Sequence, residues 1–345
     1  MNILIDIGHP AHVHLFKNLI WQMKKKGHKI IVTARDKECA LNLLKHYKIK
    51  YVNRGTGSGG LVGKAFNLAK TDAFIYKIAK KFKPDVLIGV NNPYIAHVAW
   101  LLRKPSYIFN DTEHAKLSNI ITYPFATKII TPTCFKKNLG KKQIRYNGYH
   151  ELAYLHPKYF KPNPAVLKEL GVKEGERYFV LRFVSWKASH DINQHGIDEK
   201  SKNELIGLLR KHGKVFISSE GKLPPKLEKF RLKIHPAKMH DVLSYATMYI
   251  GEGATMATES AILGTPAVYI SSLAGEMGNF TELEKEYDLI YSCKTYNKAI
   301  KKIKELLRNK KIKEEWRVKR QLLLQEKTDM TRWITGFVEE IMNNK

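Results

Sequence analysis

The sequence predicts an α/β protein built from two doubly wound, Rossmann-like parallel sheets, and three observations carry that expectation. Short apolar runs alternate with amphipathic helical stretches along the chain. The alternation pauses at Pro157, Pro162 and Pro164 and then begins again. A length of 345 residues is enough for two such domains, each with its own core. The expected division is a first domain at 1–157, a second at 165–330, and a terminal helix at 331–345 that crosses back to the first.

The apolar residues 3–7 read as a buried strand rather than as a leader peptide, because no basic stretch and no long apolar run accompany them. Gly8, His9, Pro10 and Ala11 lead through His12 and His14 into a helix that stops at Gly27, and 30–33 is the next strand. This is a βαβ opening whose first loop lies at the C-terminal edge of the sheet, where open α/β sheets bind ligands. A helix over 38–46, a strand at 51–52 and a glycine-rich loop at 55–60 follow. Residues 61–83 form a helical pattern with Phe66, Phe74 and Phe82 among lysines that include Lys64, Lys70 and Lys77. Strands at 86–90, 107–109 and 129–131 complete the first domain. The second is expected to hold strands at 178–183, 215–218 and 245–250, with helices near 202–211 and 239–244. Over 331–344, Trp333, Ile334, Phe337, Val338 and Ile341 share one helical face.

The excess of 60 Lys plus Arg over 32 Asp plus Glu leaves a net charge of +28, which attracts polyanions: nucleic acid, an anionic membrane or a phosphorylated substrate. Nucleic acid is not the expected partner, since no motif of stacking aromatics is present; a basic nucleic-acid-binding protein is the alternative from another class. Cys39, Cys134 and Cys293 stand far apart with no Cys-x-x-Cys, which fits free thiols in a cytoplasmic protein. No apolar run approaches the roughly 20 residues of a membrane span. His9, His12 and His14 have no acid or cysteine beside them in the loop, so no metal is expected.

Residues 251–266 organise the second half. Gly251 and Gly253 clear side chains from a turn between a strand and a helix that starts near Thr255, whose free N–H groups face any bound anion. Glu259 lies one turn further on, with a carboxylate suited to a ribose diol; the competing reading is an ordinary βαβ unit with an exposed Glu259. Gly264, Thr265 and Pro266 stop the helix. Arg182 interrupts an apolar strand, and with Ser185 and Lys187 it supplies donors for a diphosphate. Ser219 and Glu220 end the next strand at the same edge. In the first half Glu113 reads as an acid at the ligand edge, fit to act as a general base or to hold an acceptor hydroxyl, and a helix N-cap is the competing reading for Asp111.

The run from Gly253 to Pro266, Gly-Ala-Thr-Met-Ala-Thr-Glu-Ser-Ala-Ile-Leu-Gly-Thr-Pro, resembles the donor-binding motif of GT-B glycosyltransferases and of the related UDP-N-acetylglucosamine 2-epimerases. The whole chain resembles a family known as domain of unknown function 354, placed in that superfamily. The resemblance implies GT-B architecture and metal-independent, inverting transfer of a sugar from a nucleotide diphosphate donor, UDP above all, without a further cofactor. The acceptor would be a glycan or a polyprenyl-phosphate-linked sugar. A 2-epimerase or hydrolase is the alternative. Gly253, Ala254 and Thr255 would then face the diphosphate and Glu259 the ribose, while His235 and Met239 fall in the base-binding segment. His12-Val13 is similar to the histidine loop of the bacterial N-acetylglucosaminyltransferase that makes the lipid-linked peptidoglycan precursor. By that resemblance, His12 or Glu113 would take the acceptor proton. Asn91 and Asn92 stand where the epimerases carry the aspartate of Gly-Asp-Thr, a departure that speaks against epimerisation. The 61–83 helix would allow peripheral contact with the inner face of the cell membrane.

Overall fold

A computed structural model describes residues 1–57, 61–183, 197–219 and 221–343, apart from the side chains of 61, 62, 64, 65, 342 and 343. Its contacts divide the chain into two units: Met1–Tyr154 with Thr328–Lys345, and Leu155–Lys327. The expected positions Ser185, Lys187 and Glu220 lie outside the described residues.

The first unit runs β1 (Asn2–Ile7), α1 (Pro10–Lys25), β2 (Lys29–Ala34), α2 (Ala40–His46), β3 (Val52–Asn53), α3 (Leu61–Phe82), β4 (Val86–Val90), α4 (Pro93–Leu101), β5 (Ser106–Phe109), α5 (Lys116–Thr122), β6 (Lys128–Pro132), β7 (Gln143–Tyr146) and α6 (Leu152–Leu155). Its seven strands pair in parallel in the order β3-β2-β1-β4-β5-β6-β7. β1 is buried along nearly its whole length, as a central parallel strand covered on both faces must be. α1 begins at Pro10, a favoured first helical residue, with His9 as its cap. Ile75 and Ala79 of α3 join Ile95, Val98 and Ala99 of α4 in one apolar cluster with Leu4, Leu87 and Ile108 of the strands.

The second unit holds α7 (Ala165–Glu169), β8 (Tyr178–Phe183), α8 (Glu199–Arg210), β9 (Lys214–Ser219), α9 (Pro225–Glu228), α10 (Met239–Tyr245), β10 (Met248–Gly251), α11 (Ala254–Ile262), β11 (Ala267–Ile270), α12 (Gly278–Lys285), β12 (Ile290–Cys293), α13 (Tyr296–Arg308) and α14 (Ile312–Glu326). Five parallel strands lie in the order β12-β11-β10-β8-β9. Trp316 of α14 is sealed in the core, with Nε1 donating to Leu289 O at 2.9 Å. α15 (Met330–Asn343) packs on α1 of the first unit, where Thr331 Oγ1 donates to Ala153 O at 2.6 Å and Phe337 meets the Tyr107 ring edge-on at 5.0 Å.

Several boundaries differ from the sequence reading. Tyr245 closes α10 instead of opening a strand, because its chain reverses at Ala246 before β10 starts at Met248. β7 was not anticipated: its polar Gln143 and Arg145 alternate with Ile144 and Tyr146, the pattern of a strand with one face toward solvent, and it forms the edge of the sheet. Asp111 does not cap a helix, since α5 begins five residues later with Ala115 at its cap.

Candidate active site

In the second unit the C-terminal ends of β8, β9 and β10 lie side by side, and Arg182 ties them together. Its Nη1 donates to Ser218 Oγ of β9 at 2.9 Å, and its carbonyl accepts from Glu252 N at 3.0 Å. Both glycines of the following turn make room for this residue. A Cβ on Gly251 would stand 2.4 Å from Arg182 O, and one on Gly253 would stand 2.8 Å from Arg182 Cγ. The Arg182 stem therefore passes beside Gly253 at the turn that leads into α11, and its guanidinium reaches on to Ser218 of β9. Tyr249 Oη closes the same turn by donating to Gly253 O at 2.9 Å. Gly253 caps α11, and Ala254 and Thr255 form its partly exposed first turn, where the N–H groups have no helical carbonyl to bind. An arginine beside an open helix N-terminus is a surface for a diphosphate.

Glu259 is only 4% exposed, and its Oε1 lies 3.0 Å from His240 Nε2. His240, from the first turn of α10, is itself buried and meets Phe160 edge-on at 6.0 Å. The imidazole fixes one carboxylate oxygen of Glu259 and so sets the direction of the other. Met239 opens α10 beside it. His235 accepts from Ala237 N at 3.2 Å and thereby caps the short 3-10 turn Pro236–Lys238, while Ser219 Oγ donates to Gly221 O at 3.3 Å.

In the first unit the three histidines of the opening loop take different roles, with the His9 and His12 rings 5.8 Å apart. His9 accepts from Ala11 N at 3.2 Å as the cap of α1. His14 is buried, stacked on Tyr154 at 5.2 Å and near the Tyr47 hydroxyl. His12 remains at the edge of the sheet, where its Nδ1 accepts a long bond from Gly8 N at 3.3 Å. Burial, reinforced by His9, His150 and Lys37, holds the His12 imidazole well below its ordinary value, and Asp111 pulls the other way. The ring is neutral at neutral pH.

Asp111, after β5, lies with Oδ2 3.1 Å from Nδ1 of His150, which follows β7 and stacks on Tyr146. Burial opposes ionisation of Asp111, but the charge and hydrogen bond of His150, with help from the Thr112 hydroxyl and His12, bring it down to about 2. The far nitrogen of His150, Nε2, is buried with no hydrogen-bond partner among the described residues. Glu113 is buried, and its Oε1 accepts from Lys136 N at 3.1 Å, so it holds the loop after β6.

A second network escaped the sequence reading. Asp6 is fully buried near the end of β1 and receives Arg54 Nε at 2.9 Å, Arg54 Nη2 at 3.1 Å, Thr33 Oγ1 at 2.6 Å and Asn92 Nδ2 at 2.5 Å. Asn92 also caps α4 through Ile95 N. The signal for this network was a lone carboxylate inside an apolar strand. A buried charge needs such a full set of donors.

The family model described as "Protein of unknown function (DUF354)" matches residues 1–342. The chain belongs to the DUF354 family. An uncharacterized protein of Methanocaldococcus jannaschii is 28% identical to this DUF354 chain over 286 residues, covering 78% of the chain and 81% of that relative. Among solved structures, the UDP-GlcNAc 2-epimerase of Neisseria meningitidis, bound to UDP-GlcNAc, superposes with a TM-score of 0.71 at 11% identity, covering 100% of both chains. A glycosyltransferase of Streptomyces sp. SF2575 reaches a TM-score of 0.62 at 12% identity, covering 98% of this chain and 99% of its own. This DUF354 protein therefore has the GT-B fold.

Proposed function

We propose that this protein is a GT-B glycosyltransferase that moves a sugar from a UDP-linked donor to a glycan or lipid-linked acceptor. The observation that carries the reading is Arg182 passing beside the glycine turn at the start of α11, with Glu259 of that helix held by His240 of α10. The diphosphate would bind the first-turn N–H groups and Arg182, and Glu259, oriented by His240, would take the ribose hydroxyls. Negative charge that develops on the leaving UDP is met by fixed donors, which lowers the barrier without reorganisation. His235 and Met239 would border the base.

On the acceptor side, His12 is the proton acceptor we assign once the hydroxyl displaces the long Gly8 contact. A neutral imidazole is the form that can take a proton, and Asp111 would stabilise the imidazolium that forms. Glu113, engaged with Lys136 N, would position the loop rather than take the proton.

Calorimetric titration with UDP, GDP, TDP and CMP tests the donor assignment: tight UDP binding is expected, and absence of nucleotide binding overturns it. The second reading, a nucleotide-sugar 2-epimerase, draws on the fold it shares with such enzymes. Against it, the side chains after β4 are Asn91 and Asn92, and Asn92 is spent on Asp6 and Ile95 N. NMR of UDP-N-acetylglucosamine incubated with the protein alone should show no UDP-N-acetylmannosamine.

A further inference from the structure

Ten large apolar side chains stand exposed among the described residues, and six of them lie on three consecutive helices of the first unit: Phe66 and Phe74 on α3, Trp100 and Leu101 on α4, Leu117 and Ile120 on α5. Phe66 is 73% exposed, Ile120 68% and Trp100 60%. Scattered surface hydrophobics need no explanation, but a concentration of this kind on one side of a unit marks an interaction surface.

The three helices form one layer. α3 packs on α4 and α4 on α5, and a single imidazole joins all three: His97 of α4 lies 2.8 Å from Asp72 Oδ2 of α3 through Nδ1 and 2.8 Å from Ile121 O of α5 through Nε2. Asp72 is the one acid in these three helices, and this contact takes it up. Around the apolar residues stand exposed bases, among them Lys70, Lys77, Arg103 and Lys116. The surface is thus apolar and positively charged with almost no compensating negative charge.

That combination selects the occupant. A second copy meeting this face would set bases against bases, whereas an anionic bilayer offers phosphates to the lysines and an acyl boundary to the aromatic and aliphatic side chains. No helix among the described residues is long and apolar enough to cross a membrane, so contact would be interfacial. We propose that the outer face of α3, α4 and α5 is a docking surface for an anionic membrane. The face adjoins the candidate acceptor edge, because Ser118 of α5 donates to Asn91 Oδ1 at 3.0 Å at the end of β4. Docking would hold that edge beside an acceptor carried by the membrane. This last step rests on the transferase reading, whereas the docking surface itself does not.

The test is sedimentation with vesicles of phosphatidylcholine alone and of phosphatidylcholine mixed with phosphatidylglycerol, at low and high ionic strength. Binding should require the anionic lipid and fall steeply with salt. Replacing both Trp100→Ser and Ile120→Ser should weaken it by more than about tenfold, and Lys70→Gln or Lys77→Gln by up to about fivefold each. All four positions are at the surface, so UDP titration of the same variants should match the parent and certify their folding. The proposal is overturned by absence of binding to anionic vesicles, by equal binding to neutral ones, or by indifference to the Trp100→Ser/Ile120→Ser pair. A concentration-dependent dimer abolished by that pair would also overturn it and give the face to a second copy. Failure of UDP binding with vesicle binding intact would remove the transferase reading and leave the docking surface standing.

Discussion

His240 Nε2 lies 3.0 Å from Glu259 Oε1, and both side chains are nearly closed to solvent. A carboxylate on the surface of α11 would be free to turn, whereas this one has a fixed direction. Glu259→Gln retains an oxygen for His240 but removes the charge offered to a ribose. We expect it to weaken UDP binding by about 1.5–3 kcal/mol, the range for a hydrogen bond to a charged group, with the melting temperature little changed. His240→Ala should weaken UDP through loss of orientation. Calorimetry decides, and unchanged UDP affinity in both variants would refute the ribose assignment.

The two glycines of the turn should respond differently to alanine. At Gly251 the added Cβ meets backbone atoms of Arg182 at 2.4 and 2.8 Å, which can move only if β8 and β10 separate. At Gly253 the nearest atoms are side-chain atoms, the Arg182 Cγ at 2.8 Å and the Tyr249 hydroxyl at 3.1 Å, which yield more readily than the backbone of a paired strand. Gly251→Ala should therefore lose about 1–3 kcal/mol in urea unfolding. Gly253→Ala should stay near wild-type stability while its UDP affinity drops as the guanidinium shifts. Equal stability of the two variants would contradict this account.

His12 links the sheet edge to pH. Its folded pKa is depressed, chiefly by burial, so in the unfolded chain the imidazole binds a proton below about 6.5 while in the folded protein it does not. The unfolded state then binds more protons, and stability falls as pH falls through that region. His12→Gln removes this contribution. The gap in urea midpoint between pH 7 and pH 5.5 should be smaller in the variant than in the parent, and an equal gap would place His12 in an ordinary environment.

Asp111 acts in the opposite pH range. A carboxylate held at about 2 contributes stability that is fully present above its ordinary value of 3.8 and is lost as pH falls through the folded value. The shift corresponds to about 2 kcal/mol. Asp111→Asn should lose roughly that much at pH 7, with the difference closing toward pH 2. A double-mutant cycle with His150→Gln should show strong coupling, and additive losses would mean that the 3.1 Å contact holds neither group.

Period, turn chemistry and composition were readable along the chain. Apolar runs marked β1, β4 and β8, and Gly253 to Pro266 announced both α11 and its stop at Gly264, whose φ is +76°. These features are local, since helix periodicity, a strained φ and a missing side chain depend on neighbours a few residues away. Residue by residue, the sequence also brought out Arg182 and Glu259, one because it interrupts an apolar strand and the other because of its spacing from a glycine turn. It did not assign their partners. Asp6 finds Arg54 across 48 positions and Asn92 across 86, and Glu259 finds His240 across 19. Those pairings arise from the order and register of parallel strands, which bring distant loops to one edge of each sheet. The apolar face of α3 to α5 has the same origin: the sequence displays the phenylalanines of one helix, but only packing determines which side chains of three helices are left outside, and that choice is made by whatever the inner faces bury.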